Sequence, residues 1–188
     1  MKLTKLTGLI LAAVVLVSGC ATPPPVSFVP SDIVPGKVKV NAEMKSVAVV
    51  ISDDETLETG FGPAAGDFFV EPYKNALEDA LVRATIFDDE AKEKVTVRAK
   101  LLKFDWKRGF DTDITLTTNY QVISRKDGKI LYESDVAATG SCTSDEHMNG
   151  ILRVRIATNR AGQNNIKEFI ARLEAAAPEI NKTIANSR

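Results

Sequence analysis

Between residues 95 and 139 the chain alternates apolar and polar side chains, and a period of two leaves its backbone few options. Val95, Val97, Ala99 and Leu101 are separated by Thr96, Arg98 and Lys100. Successive side chains on an extended strand point to opposite faces, so this pattern turns one face to a core and the other to water. At Leu102 the phase changes, and Leu102, Phe104 and Trp106 carry the apolar set onward. A slip of one residue turns every later side chain over unless a bulge absorbs it. A bulge is therefore expected at Leu101 and Leu102, or else a strand end covered on both faces. Ile114, Leu116, Thr118, Tyr120 and Val122 form a second alternating set. Lys126-Asp127-Gly128-Lys129 has the Asp-Gly pair that favours positive φ in tight hairpins. Residues 130–139 then return as a third strand. Residues 107–113, with Gly109, join the first two as another hairpin, which completes an antiparallel meander.

The flanks supply the layers. Residues 46–51, Ser-Val-Ala-Val-Val-Ile, read as a short strand buried on both faces. Asp53, Asp54 and Glu55 follow without the spacing of a calcium loop, so a solvated connection is the reading and no metal is expected. Gly60, Gly62, Pro63 and Gly66 mark a turn-rich link, and Gly60-Phe61-Gly62 lacks the Gly-Lys-Ser/Thr of a phosphate loop. Asp67 is placed to cap a helix over 67–84. Phe69, Tyr73, Ala76, Leu77, Ala80, Leu81 and Ala84 share one face of that helix. Residues 140–150 are polar and read as a loop. Residues 151–157 fit both periods, since Leu152, Val154 and Ile156 alternate while Met148, Leu152 and Ile156 fit a helix. From Asn164 a helical stripe runs through Ile166, Phe169, Ile170, Leu173, Ala177, Ile180 and Ile184, with Pro178 expected to kink it or start a second helix. The fold expected is α+β: a mainly antiparallel sheet of about four strands, with two or more helices on one face.

The N-terminus stands apart from this pattern. Lys2 and Lys5 precede an apolar run over 6–17, and Val17-Ser18-Gly19-Cys20 closes it. A charged start, a short apolar stretch and small residues make a secretory signal. The run of about a dozen residues is shorter than the roughly 20 needed to span a bilayer. The closing cysteine resembles the lipobox of bacterial lipoproteins. That resemblance implies cleavage between Gly19 and Cys20, a diacylglycerol thioether on Cys20 and an acyl chain, commonly palmitate, on its new amine. Ala21 in place of Asp resembles an outer-membrane address on the periplasmic side. Residues 21–36 carry Pro23, Pro24, Pro25, Pro30 and Pro35 and read as a spacer of roughly 50 Å in extended form. The organisation is then a signal at 1–19, a lipidated tether at 20–44 and one periplasmic domain at 45–188.

Cleavage after Gly19 leaves 169 residues, a length suited to one domain. It also removes two basic residues from a chain with 24 basic and 25 acidic, which brings the net charge to −3. That balance gives no electrostatic case for nucleic acid. Cys142 is the cysteine left over. A small buried thiol is the simpler reading, and a nucleophile would need His147, the chain's single histidine. No catalytic residue, metal or dissociable cofactor is expected, and the chain is read as no enzyme. Phe68, Phe69, Phe104, Trp106 and Phe110 are the residues expected to line an apolar ligand cleft or partner surface.

The lipobox, the proline-rich stretch, the strand 47–51, the helix with Leu77 and Leu81, the meander and the closing helix with Ile166 and Ile170 together resemble the YajG-like family of small bacterial lipoproteins. The 140–163 stretch is longer than that pattern. The resemblance implies a lipid-anchored outer-membrane protein and brings no catalytic residues with it. Three roles are weighed: an accessory to an envelope transport, assembly or appendage complex, with a protein partner; a carrier or sensor of a small apolar ligand such as lipid; and an envelope enzyme.

Overall fold

The computed structural model describes residues 25–53, 60, 66–107 and 109–186. The signal segment, Gly19, Cys20, Ala21, Asp54, Glu55, Gly62 and Pro63 lie outside the described residues. Four strands, β1 (Glu43–Ile51), β2 (Lys94–Lys107), β3 (Thr112–Ser124) and β4 (Ile130–Cys142), form one sheet in the order of the chain. The β2–β3 and β3–β4 pairs are antiparallel and β1–β2 is parallel, so the sheet is mixed. Helix α1 (Glu71–Ala84) crosses between β1 and β2, and helix α2 (Gly150–Asn186) follows β4. The architecture is the α+β layout expected, with the buried faces of both helices and all four strands joined in a single core.

The alternation of the meander translates directly. Val95, Val97, Ala99 and Leu101 of β2 and Ile114, Leu116, Thr118, Tyr120 and Val122 of β3 are all buried. The bulge is where the phase change put it: the register moves from Leu101↔Thr118 to Lys103↔Thr117. β1 differs from expectation. Val47 and Val49 are buried, but Val50 is exposed. The strand pairs only with β2 and the helices cover one face, so the other face meets solvent. The 126–129 turn is also longer than a two-residue hairpin. The Ser124 amide donates to the Lys129 carbonyl at 2.9 Å and the Gly128 amide to Ser124 at 3.0 Å. Only Gly128 takes a positive φ, 75°, whereas the tight type I′ turn needs it at two residues.

Asp67 is not the helix cap. A single π turn, Gly66–Val70, precedes α1, whose N-cap is Val70 with no side-chain cap. Pro72 sits in the first turn, where its missing amide removes no helical bond. The expected apolar face, from Tyr73 to Ala84, is buried.

Two corrections come from the second half. β4 runs on to Cys142, so 140–142 are strand and not loop. A Cβ on Gly140 would lie 2.2 Å from both the Ala157 carbonyl oxygen and the Ala161 amide nitrogen. The glycine admits the helix backbone onto the strand and does not break it. Residues 151–157 are helical, and α2 continues for 37 residues, about 55 Å, without dividing at Pro178. Pro178 lies on the exposed side, while the whole expected stripe from Ile166 to Ile184 is buried.

The tether is the largest departure. Residues 25–42 are laid against the domain instead of extending from it. Phe28, Val40 and Ala42 have no exposed surface. Side chains of α2 satisfy the strap's backbone in step along its length. The Ser27 amide donates to Asn159 Oδ1 at 3.0 Å, Lys37 to Glu174 Oε1 at 2.6 Å and Asn41 to Asn181 Oδ1 at 2.7 Å. Its prolines deny it a helix, but backbone polar groups still need partners, and α2 supplies them. The strap and α2 therefore run in the same direction. We call the end with the β2–β3 turn and the start of α2 the upper end, and the end with the β3–β4 turn the lower.

Candidate functional site

Three places hold polar or reactive groups worth testing as a site. The most enclosed is in the core. Asn165 of α2 donates through Nδ2 to the Leu116 and Val136 carbonyls at 2.8 and 2.9 Å. Carbonyls only accept, so the orientation is fixed and Oδ1 faces the phenols of Tyr73 and Tyr120, at 2.9 and 2.8 Å. The two phenol oxygens are 2.6 Å apart. The Thr118 hydroxyl adjoins both. It is buried, with no well-formed hydrogen bond of its own among the described residues. Burial pushes both phenols well above their ordinary pKa, so they stay neutral. Tyr120 also stacks on Phe169, with centroids 3.9 Å apart and planes 3° from parallel. The cluster ties α1, β3, β4 and α2 into one register. Buried on all sides, it is a structural lock.

Cys142 and His147 do not form a nucleophile–base pair. The thiol is buried, with the Thr143 carbonyl at 3.9 Å and the Glu146 carboxylate at 3.8 Å. Burial and the Glu146 charge raise the thiol pKa, which disfavours the thiolate a nucleophile needs. His147 is exposed, and its carbonyl accepts from Arg153 Nη1 at 2.8 Å. Glu146 is engaged by Arg160 at 2.8 Å, and that hydrogen bond holds the carboxyl below its usual range. The acidic loop after β1 contributes Asp53, which pairs with Lys100 at 3.3 Å. Among the described residues no cluster of three metal-ligating side chains occurs.

The upper end is where the five aromatic candidates gather, and the structure divides them. Phe69 and Phe104 pack edge to face with centroids 5.4 Å apart. Phe28 of the strap extends the row, 5.7 Å from Phe69 and 5.2 Å from Tyr73. Phe69 and Phe104 are thus packed against the core and do not line an open cleft between sheet and helices. Phe68, Trp106 and Phe110 face outward, 60%, 40% and 90% exposed. Met148 and Ile151 join them, 91% and 69% exposed. An open cavity of about 420 Å³ separates Trp106, Gly109 and Thr112 from Asn149, Ile151 and Val154. Asn149 Oδ1 caps α2 by accepting from the Ile151 amide at 2.9 Å. Arg153 lies beside it, its guanidinium held by the carbonyls of His147 and Met148. Its Nε is buried without an acceptor among the described residues.

Met148 and Ile151 carried a sequence signal that periodicity obscured. Met148 lies just before α2 and Ile151 in its first turn; their helical spacing reads as core, yet nothing covers that end and both are exposed. Phe28 had none, because a lone aromatic among prolines resembles any spacer residue.

No family model matches the chain, and no match was found among curated proteins. Solved structures do match. A Xanthomonas campestris protein of the DUF330 family aligns with a TM-score of 0.52 at 10% identity, over 86% of this chain and 98% of that one. A Chlamydia trachomatis protein aligns at 0.46 with 12% identity, over 74% and 98%. A minor lipoprotein of Acinetobacter baumannii aligns at 0.41 with 11% identity, over 70% and 91%. The first of these supports a shared fold. At 10% identity that likeness shows fold alone, and function has to be argued from sites.

Proposed function

We propose that this chain is a bacterial envelope lipoprotein of the YajG-like kind. It is anchored by lipid on Cys20 to the periplasmic face of the outer membrane, and it serves as a non-enzymatic accessory or binding component of a larger envelope assembly. The observation that carries the reading is the signal-type segment closing on Val17-Ser18-Gly19-Cys20. A single acyl chain holds a protein marginally, and the several chains of a lipidated cysteine hold it stably. The non-enzymatic part is supported by the chemistry of the candidates. The one thiol outside the signal is buried beside a carboxylate, and the buried phenols are held neutral within the core. The exposed apolar end is the kind of surface that marks a contact.

The full chain, expressed in a two-membrane bacterium, tests the anchor. Intact mass is expected to show a product starting at Cys20 and carrying acyl chains, and density separation to place it with the outer membrane. A Cys20→Ser chain is expected to lose both. An unmodified, uncleaved product overturns the reading. Mild crosslinking before purification then addresses the accessory role, with an envelope protein as the expected adduct.

The cavity favours a second reading, a carrier of a small apolar ligand. Its volume falls in the range of ligand sites, about 300–1,000 Å³. Native mass spectrometry of the purified chain separates the two readings. A lipid adduct retained across preparations supports a carrier, and its consistent absence supports the accessory.

A further inference from the structure

The strap gives the anchor a direction. Pro25 is fixed to α2 at Asn159, whose Nδ2 donates to the Pro25 carbonyl at 3.1 Å. From there the strap descends in step with the helix, through Asp32 beside Lys167 and Lys37 beside Glu174, to Asn41 beside Asn181. Its N-terminal end therefore points to the upper end of the molecule. Five residue steps separate Cys20 from Pro25, a reach of at most about 18 Å. Asn159 lies nine residues into α2 from Gly150, about 14 Å along the axis. An anchor at Cys20 can pass the start of α2 by only about 4 Å.

That reach denies the domain any distance from the bilayer, and the nearest end is the one bearing Trp106, Phe110, Met148 and Ile151 outward. We propose that this end rests on the membrane that holds the anchor, with these four side chains and Phe68 seated among the lipid headgroups and upper acyl chains. The proposal rests on the lipid anchor proposed above. Trp is favoured at the boundary between headgroups and hydrocarbon, where its ring is apolar and its N–H is wet. The charges at this end are of both signs: Lys103 pairs with Asp105 at 3.3 Å, and Lys107 lies opposite Asp113 across the β2–β3 pair. The attraction is therefore one of apolar burial and not of a basic patch for anionic lipid.

Trp106 is the chain's single tryptophan, so its emission reports this end alone. The lipidated full chain is reconstituted into vesicles of phosphatidylethanolamine and phosphatidylglycerol, with plain or brominated acyl chains. Bromine is expected to reduce Trp106 emission at least twofold, with little change at high salt. A Phe110→Ser, Met148→Ser, Ile151→Ser chain is expected to float with the vesicles as before but to lose most of the quenching. Val82→Ser, an exposed site on α1, is expected to keep it. Wild-type chain that floats with vesicles but is not quenched overturns the proposal. So does unquenched emission that shifts to the blue as protein concentration rises, which assigns the patch to a second copy. Wild-type chain that does not float overturns the anchor itself, and with it this inference.

Discussion

The sheet ends in two hairpin turns that meet water in opposite ways. At the lower end the β3–β4 turn satisfies itself. Asp127 Oδ1 accepts from the Lys129 amide at 3.0 Å, Ser124 Oγ donates to Glu93 at 2.6 Å, and the Lys129 amide holds the Asp127 carboxyl below its usual range. Its side chains are charged and solvated. At the upper end the last residues of β2 present Trp106, the turn after it presents Phe110, and the start of α2 adds Met148 and Ile151. A polar turn was available to this chain, since it uses one 14 residues later in the meander. Apolar residues at the upper end therefore answer to something other than closing a hairpin. Large exposed apolar patches mark contacts, because they contribute little to folding and raise the risk of aggregation.

The comparison makes stability and contact separable. Two phenylalanines give the sharpest contrast: Phe28 is fully buried over Gly162, and Phe110 is 90% exposed. Phe28→Ala is expected to lower unfolding free energy by about 3–5 kcal/mol, measured by urea denaturation, and to free the strap for early proteolysis. Alkaline pH probes the interior, since neither turn holds a tyrosine. Unfolded phenols titrate near 10, whereas burial keeps Tyr73 and Tyr120 protonated to higher pH. Above about 10 the unfolded chain loses protons the native state keeps, so stability is full below that pH and falls as pH rises through it. The slope is at most about 1.4 kcal/mol per pH unit for each phenol, and Tyr120→Phe is expected to reduce it. At the lower turn, Gly128 has a φ of 75° and open space around its Cα. Gly128→Ala is expected to cost about 1 kcal/mol through backbone strain alone. At the upper turn, Phe110→Ser and Met148→Ser are each expected to change stability by less than about 0.5 kcal/mol. A loss of 2 kcal/mol or more at Phe110 would break the comparison, because that end would then be part of the folding core.

Local pattern made the meander legible. Every inward residue predicted for β3 is buried, and the bulge follows from two adjacent leucines out of phase. The helical stripe from Ile166 to Ile184 was equally clear, since large apolar residues recur at helical spacing. The first half of α2 was not, because its buried positions are Ala157, Thr158, Ala161 and Gly162. Small residues, which let Gly140 approach at Ala157 and Ala161 and Phe28 approach at Gly162, carry no hydrophobic period. Gly140 itself reads as a breaker in sequence and acts as a contact in space. The strap was hidden for a related reason: Pro25, Pro30 and Pro35 exclude a helix but say nothing about what the extended chain lies on. The candidate surface was half legible. Its aromatics were visible, but the division between Phe69 and Phe104, which pack inward, and Phe68, Trp106 and Phe110, which face out, depends on the row begun by Phe28.

By itself the sequence determined the periods, and with them the strands, the two helical faces and the signal-type segment ending at Cys20. These are properties of neighbouring residues, and alternation or a three-to-four spacing needs no partner to be read. The tertiary structure alone decided what meets across long separations: the strap against α2, α2 against Gly140, and the apolar side chains of 106–110 and 148–151 at one end. Such meetings depend on how rigid elements stack, and contacts between residues of different elements leave no periodic trace along the chain.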